Sequence, residues 1–387
     1  MMDYAQYARQ LREELHQCPE IGFDLPKTLS VVRRELNAMG LSYTDKWGES
    51  SLVATINEDK GPLTIGLRAD MDALPIQEAN NVPYRSRHDG KMHACGHDAH
   101  TAILLATAKA LMEQKEQLNC RIKLLFTPAE EYERPGCKVL AENGVMDDVD
   151  CCLALHVDPT IPVGMVQIDE SAAGANSMGF RVRFYGKPAH AAQQHKGVDA
   201  ILIAVQAISA MEAMVAKEFH PATPRLLNIG SIHGGQTNNV ICDYVELFGS
   251  ARAHDDTVSE KLEQRLAQIV KQTAAMAGGR GEFQKVKFLP YVQNNGPMAR
   301  NVWKVAEKVV GKEKIVTSSR GLGGEDFGYL SRLKPCVQFR IGTKAVDQTT
   351  VIPLHSDRFD VDPGCFRVGL DMFVECVKDN ATGIDFD

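Results

Sequence analysis

Residues 92–100, MHACGHDAH, put three histidines and a cysteine into nine positions of a chain with twelve histidines in all. Imidazole and thiolate are metal ligands, and they are also the two halves of a nucleophilic dyad. Further along stand Glu130 and Glu131 in PAEE, His156 in CCLALHV and His355 in PLHSDRF. Thiolate, imidazole and carboxylate together suit a divalent transition metal such as zinc, manganese, cobalt or nickel. Cys-Gly-His alone carries little weight, because its spacing matches no structural zinc pattern. A rival reading makes Cys95 a nucleophile with His97 as its base, but residues two apart on an extended loop point the same way and rarely hydrogen-bond. A redox switch at Cys95 wants a second cysteine, and none is near in sequence. The plain alternative is that His156 and His355 are structural and the Glu pair a solvated loop.

The elements that must position these groups decide between the readings. Residues 3–17 and 26–39 have helical spacing, and Gly40 ends the second helix. SSLVATI (50–56), LTIGLRADMD (63–72), RIKLLF (121–126) and CCLALHV (151–157) read as strands, with a helix over 99–117. Strands alternating with helices imply a mostly parallel sheet covered on both faces. Glu130 and Glu131 follow one strand and His156 ends another, while Cys95 and His97 precede a helix. In open α/β sheets, ligands gather beyond the carboxyl ends of the strands. These groups and His355 therefore fall on one rim, which favours a metal site.

The pattern changes at residue 176. NSMGFRVRFYGK (176–187) alternates, a helix covers about 198–218, strands run over 225–232 and 239–253, a helix covers 257–277, and 283–292 is a last strand. The order β-α-β-β-α-β is the split βαβ unit, a compact insert over 176–292. Helix and strand alternation resumes through Val302–Val310, CVQFRI (336–341) and a C-terminal helix. The catalytic part would then be discontinuous, 1–175 and 293–387.

Length and composition agree with a two-domain globular chain: 387 residues, 44% hydrophobic and 24% charged. A net charge of −7 argues against nucleic acid or an anionic membrane surface as partner. No apolar run reaches the ~20 residues of a membrane span. The charged segment MMDYAQYARQLREELHQ lacks the apolar core of a signal peptide. Ten cysteines are scattered without a C-x-x-C pair, and Cys151 and Cys152 look like core thiols, as expected of a reduced, cytoplasmic protein.

The motifs LRADMDALPI, MHACGHDAHTAILL, TPAEE, LALHV, AHAAQQHKGVDAI, NVICDYVELFGSARA, GGEDF and LHSDRFDVD stand in this order along nearly the whole chain. In them the chain resembles the M20 metallopeptidase/amidohydrolase family, in its N-acyl-amino-acid amidohydrolase branch of hippurate and auxin-conjugate hydrolases. The resemblance implies a zinc-peptidase-like α/β domain with helices on both faces of a mixed sheet, carrying an inserted ferredoxin-like α+β lid. It implies two divalent metal ions, manganese or zinc with cobalt or nickel as alternatives. Cys95 would bridge them, His97 and His156 completing one ion and Glu131 and His355 the other.

By the same resemblance Glu130 is the general base, and His190 in KPAHAA is the lid histidine that donates to the oxyanion, across a dimer in several members. Asn239 and Arg252 would hold the free carboxylate of the substrate. Related aminopeptidases carry His-x-Asp where Asp70-Met71-Asp72 stands here, so Asp70 is not expected as a ligand and Asp72 would orient one. His93 and His100 are left as supporting residues. The loop YERPGC replaces glycines that often follow the paired glutamates, KPAHAA departs from Gly-Gly-His-Gly-Ala, and Cys242 replaces a frequent proline. None of these changes removes a ligand or the base. The expected activity is hydrolysis of the amide bond of an N-acyl amino acid by a homodimer joined through the lid. A dipeptidase or carboxypeptidase using the same site, or a non-catalytic relative that binds conjugates, are the alternatives.

Overall fold

The computed structural model describes residues 2–317 and 321–380. Two compact units emerge, one formed by Gly174–Tyr291 with Gly321–Glu325 and the other by the remaining described residues. The short return of 321–325 to the inserted unit is not part of the sequence expectation, which ends that unit at 292.

In chain order the first unit begins with α1 (Tyr4–His16), α2 (Pro26–Ala38), β1 (Tyr43–Thr44), β2 (Leu52–Ile56), β3 (Thr64–Asp70) and α3 (His97–Glu113). It continues with β4 (Arg121–Thr127), α4 (Gly136–Glu142), β5 (Cys151–Pro162) and β6 (Val166–Gln167). The inserted unit holds β7 (Asn176–Tyr185), α5 (Ala200–Lys217), β8 (Arg225–Gly234), β9 (Tyr244–Ala253), α6 (Asp256–Met276) and β10 (Arg280–Leu289). The first unit then resumes with α7 (Gly296–Val309), β11 (Ile315–Val316), α8 (Gly328–Ser331), β12 (Cys336–Lys344) and α9 (Gly364–Asn380).

The large sheet runs β1-β2-β4-β3-β5-β12-β6-β11. Its centre is parallel: β3 pairs with β4 and β5, and β5 with β12. Every residue of β3 is buried, as a central parallel strand requires. Side chains alternate between two cores. Leu52, Leu67, Leu124 and Leu153 point to the face packed by α1, α3 and α9. Val53, Leu125, Cys152 and Ala154 point to the opposite face, against Leu140 of α4 and Leu330 of α8. Helix α3 is apolar nearly all round, with Ile103, Leu104, Leu105 and Leu111 fully buried, so it lies inside the unit rather than on it.

The inserted unit is an antiparallel sheet, β10-β7-β9-β8. On β7, Met178, Phe180, Val182 and Phe184 enter the core with α5 and α6, while Arg181, Arg183 and Tyr185 face the other way. This is the ferredoxin-like α+β arrangement. One element differs from expectation. The strand foreseen over 239–253 starts only at Tyr244, because residues 239–243 leave the ladder and pair with the segment around His190, through Ala191 N to Asn239 O and Ile241 N to Ala189 O.

Candidate metal centre and active site

Parallel registry brings the chemistry to one edge. Asp70 at the end of β3 lies opposite Thr127 at the end of β4, and Arg68 opposite Ala154 of β5. The residues just beyond these points are Asp72, Glu130 with Glu131, and His156.

Cys95 and His97 flank Gly96, the residue before α3. Gly96 has φ +85°, and a Cβ there would stand 2.4 Å from Val157 Cγ2, so both conformation and space demand glycine. The helix begins at His97, two residues earlier than foreseen. His97 Nδ1 donates to Asp72 O at 2.9 Å, which leaves Nε2 as the nitrogen that could take a metal ion. That Nε2 is buried and has no hydrogen-bond partner among the described residues. His156 repeats the device: Nδ1 donates to Val157 O at 2.6 Å, and Nε2 sits 3.7 Å from Cys95 Sγ.

The ligand atoms of Cys95, His97 and His156 lie within 4.8 Å of one another, and so do those of Cys95, Glu131 and His355. Cys95 is common to both sets. His355 approaches through a loop whose N–H bonds Ala94 O at 2.8 Å, and its Nε2 is 2.8 Å from Glu131 Oε1. Glu130 stands in a third set with His97 and Glu131. The turn that splits the two glutamates has Ala129 at φ +57°. Asp72 holds that turn: Oδ1 accepts from Glu130 N at 2.9 Å and Oδ2 from Glu131 N at 3.1 Å. Asp72 thus fixes His97 with its carbonyl and both glutamates with its carboxylate.

This donor set fits a pair of divalent ions. It offers one thiolate sulfur, three imidazoles and a carboxylate, with the tautomers of His97 and His156 set from behind. Electrostatics agree. Burial pushes the Cys95 thiol far up, His97 pulls it back and Glu131 pushes it up again, so a thiolate here needs a further positive charge. Burial raises Glu131 too, but the hydrogen bond from His355 and the charge of His97 win and bring it to about 2. Asp70 is not available as a ligand. Its Oδ1 takes His100 Nδ1 at 2.6 Å and its Oδ2 takes Arg68 Nη1 at 2.7 Å. His100 is also committed, since its Nε2 accepts from Val157 N at 3.0 Å.

Behind the site lies a cluster that the sequence reading missed. Asp98 Oδ2 accepts from Arg12 Nε at 2.8 Å and from His16 Nδ1 at 2.6 Å, with all three residues buried. His16 Nε2 meets Glu78 Oε1 at 3.2 Å. His93 is buried nearby with neither ring nitrogen hydrogen-bonded among the described residues, and burial takes it down to about 3, so it is neutral.

The sequence pattern of the peptidase family M20/M25/M40 matches residues 66–379. The chain belongs to this family. It is 36% identical over 320 residues to an N-acetyl-L-cysteine deacetylase of Bacillus subtilis, covering 82% of this chain and 76% of that one. It is 31% identical over 366 residues to thermostable carboxypeptidase 2 of Saccharolobus solfataricus, covering 93% and 92%. Among solved structures it superposes on a dinuclear metal-binding M20 peptidase of Bacillus subtilis with a TM-score of 0.83 at 28% identity, over 97% of each chain. The protein is therefore an M20 enzyme, a metal-dependent hydrolase of amide or peptide bonds.

In this M20 chain the three expected lid residues do not stand together. His190 is exposed and caps a short turn, its Nδ1 accepting from Ala192 N at 3.1 Å. It bridges Val240, so Asn239 is its close neighbour. Arg252 lies toward the other end of β9, where it pairs with Ser177 and Leu226 and its Nη1 donates to Leu322 O at 2.7 Å. From Arg252 to Tyr244 is about 26 Å at ~3.3 Å per residue. Asn239, five residues before Tyr244, lies off the far end of that strand beside Ala191. A strand foreseen as continuous over 239–253 already sets the two positions about 43 Å apart at ~3.3 Å per residue.

Proposed function

We propose that this M20 enzyme cleaves the amide bond of N-acyl amino acids, such as acetyl or benzoyl conjugates, releasing a free amino acid and a carboxylic acid. The observation that carries the reading is how the acids at the rim are used. Asp70 is held by Arg68 and His100, Asp72 by two main-chain N–H groups, and Glu131 by His355. These three acids are each committed within the protein and do not invite the free ammonium of a dipeptide, whereas an acylated nitrogen needs no such partner. The likeness to a deacetylase supports it further.

Two divalent ions held by Cys95, His97, His156, Glu131 and His355, manganese or zinc by preference, would acidify the attacking water and polarise the amide carbonyl. Glu130 takes the proton from that water and returns it to the departing nitrogen. His190 donates a hydrogen bond to the oxyanion, and Arg252 offers a planar fork for the substrate carboxylate. The length of β9 supports a two-chain arrangement, in which one lid supplies His190 and Asn239 and the other Arg252.

The lid has a surface for such a homodimer. Helix α5 exposes Ile201, Leu202 and Val205, and the edge strand β8 exposes Leu226 and Ile232. A helix this apolar with only 33% of its span buried calls for a covering partner. The abundance of free thiols supports a reducing, cytoplasmic setting.

A hydrolysis screen of N-acyl amino acids against dipeptides, with manganese, zinc, cobalt and nickel added separately, tests the activity. Preference for dipeptides would favour the carboxypeptidase or dipeptidase reading that the Saccharolobus relative supports. Mixing Glu130→Gln with His190→Ala chains tests the dimer. Each is inactive alone, and random exchange should restore about a quarter of the sites. No recovery after verified subunit exchange would show that His190 acts within its own chain or not at all.

A further inference from the structure

Arg68 of LRADMD and Asp326 of GGEDF have no part in the chemistry above, yet both are buried charges in the first unit. Arg68 is 1% exposed and Asp326 is 0% exposed. Arg68 Nε donates to Thr127 Oγ1 at 3.0 Å, Nη1 to Asp70 Oδ2 at 2.7 Å and Nη2 to Asp326 Oδ1 at 2.5 Å. The second oxygen of Asp326 accepts from Cys137 N at 2.8 Å. Both oxygens of this carboxylate are thus tied down, which fixes the peptide that carries it. The N–H of that peptide points at Glu130 Oε1, 3.3 Å away.

Glu130 is therefore held from two sides: its own N–H by Asp72, and one carboxylate oxygen by Asp326 N–H. A donor on Oε1 restricts the rotation of the carboxylate. A general base needs this, because proton transfer requires one oxygen aligned with the attacking water. Stability alone is a poor reason to keep three charges buried here. Desolvation offsets most of the attraction in such a group, and apolar residues of the same volume often hold a fold as well.

We propose that Asp326, locked by Arg68, is a positioning residue that aligns Glu130 for proton transfer. The inference rests on Glu130 being the base, as proposed above.

The test is a double-mutant cycle on the metal-loaded enzyme, with Asp326→Asn and Arg68→Lys each made alone and in a Glu130→Gln background. Asp326→Asn keeps the volume but gives Arg68 no full carboxylate to grip. Its kcat should fall roughly 10–100-fold, with KM within about twofold and metal content per chain unchanged. In the Glu130→Gln background the same change should cost less than about twofold, because the group it aligns is already gone. Arg68→Lys should show the same split at smaller size, and it carries the test if Asp326→Asn does not fold. Equal losses in both backgrounds would mean a purely structural role and overturn the proposal. So would an unchanged kcat, or a loss that follows metal content. If Glu130→Gln itself turns over at nearly the parent rate, the base assignment fails and this inference with it. If Glu130→Gln is inactive and Asp326→Asn is not impaired, only the positioning role fails.

Discussion

Asp72→Asn should loosen the metal site without unfolding the protein. Asp72 makes no contact that a metal ligand would make, but two proposed ligands and the proposed base lean on it. Its carboxylate takes the N–H groups of Glu130 and Glu131 at 2.9 and 3.1 Å, and its carbonyl takes His97 Nδ1 at 2.9 Å. An asparagine keeps the carbonyl and one acceptor oxygen. Its amide group must then face one of the two main-chain N–H groups, donor against donor. The loss is one hydrogen bond to a charged acceptor, about 1.5–3 kcal/mol, in a site where water cannot replace it. At 1.4 kcal/mol per decade that is roughly 10–150-fold. Because the displaced N–H belongs to the turn that presents Glu131, the cost should fall on metal affinity, in line with the 10–100-fold typical of residues that support a ligand from behind. Competition with a chromophoric chelator measures it, and thermal unfolding of the chelated protein checks the fold. An affinity within about twofold of the parent would refute the reasoning. A lower melting temperature with unchanged affinity would refute it as well, since the strain would then lie in the fold and not in the ligand.

Cys95 belongs to both ligand sets, so Cys95→Ala should bind neither ion, while His156→Ala and His355→Ala should each retain one; metal analysis of the purified variants decides, and one ion retained by Cys95→Ala would end the bridging assignment. Gly96→Ala combines a left-handed backbone, costing about 1–2 kcal/mol, with a 2.4 Å clash on Val157, costing about 1–3 kcal/mol. Its melting temperature should drop and recover partly in Gly96→Ala/Val157→Ala, and no recovery would remove the clash from the account. Asp98→Asn breaks a buried pair and should cost about 3–5 kcal/mol in chemical unfolding near pH 5–6. That gap should depend on pH in both directions. Burial raises the Asp98 carboxyl, but Arg12 and His16 outweigh it and hold it far below 3.8, so its contribution is complete above pH ~4 and fades as acid protonates it. Burial and Arg12 lower His16, but Asp98 and Glu78 raise it above 6.5 on balance, so its contribution is complete below that pH and fades as alkali removes the proton. A gap that is flat from pH 3 to 9 would show that neither group titrates with folding.

Much of the site was legible because a parallel sheet leaves little freedom. Once β3, β4 and β5 are read as neighbouring parallel strands, Asp72, Glu130, Glu131 and His156 must lie beyond one edge, and no side-chain detail is needed. What stayed hidden depended on pairing across long separations. Arg12 reads as part of the polar face of an amphipathic helix, yet it is 2% exposed because its carboxylate partners are Asp98 and Asp360, from opposite ends of the chain. Arg68 did give a signal. A single arginine inside the apolar run LTIGLRAD, on a strand buried on both faces, has to be paired with acids brought from elsewhere. So did the separation of Asn239 from Arg252, since a continuous strand over 239–253 would hold them about 43 Å apart at ~3.3 Å per residue; what the alternating pattern did not show is that the strand leaves its ladder before Tyr244.

The ligand-bearing turns share a feature that explains why their spacing looks irregular in sequence. Gly96 between Cys95 and His97 has φ +85°, Ala129 before the two glutamates has φ +57°, and His355 itself has φ +65°. A left-handed residue reverses the chain in one step, so groups close in sequence can leave in different directions. Cys95 and His97 would then reach one ion from the two sides of Gly96, and Glu130 and Glu131 are free to take the different roles proposed for them. For Ala129 and His355 this conformation costs free energy of order 1–3 kcal/mol each, and it persists only where the surroundings enforce it. They do so here. Asp72 binds both N–H groups that follow Ala129, and Ala94 O binds the N–H of His355. Asp72, whose carbonyl orients His97, thus also maintains through its carboxylate the strain that splits the glutamates, and the main chain beside Cys95 maintains the strain that presents His355. The two ligand sets are coupled through the backbone as well as through the shared sulfur, so a change at one should be felt in the affinity of the other.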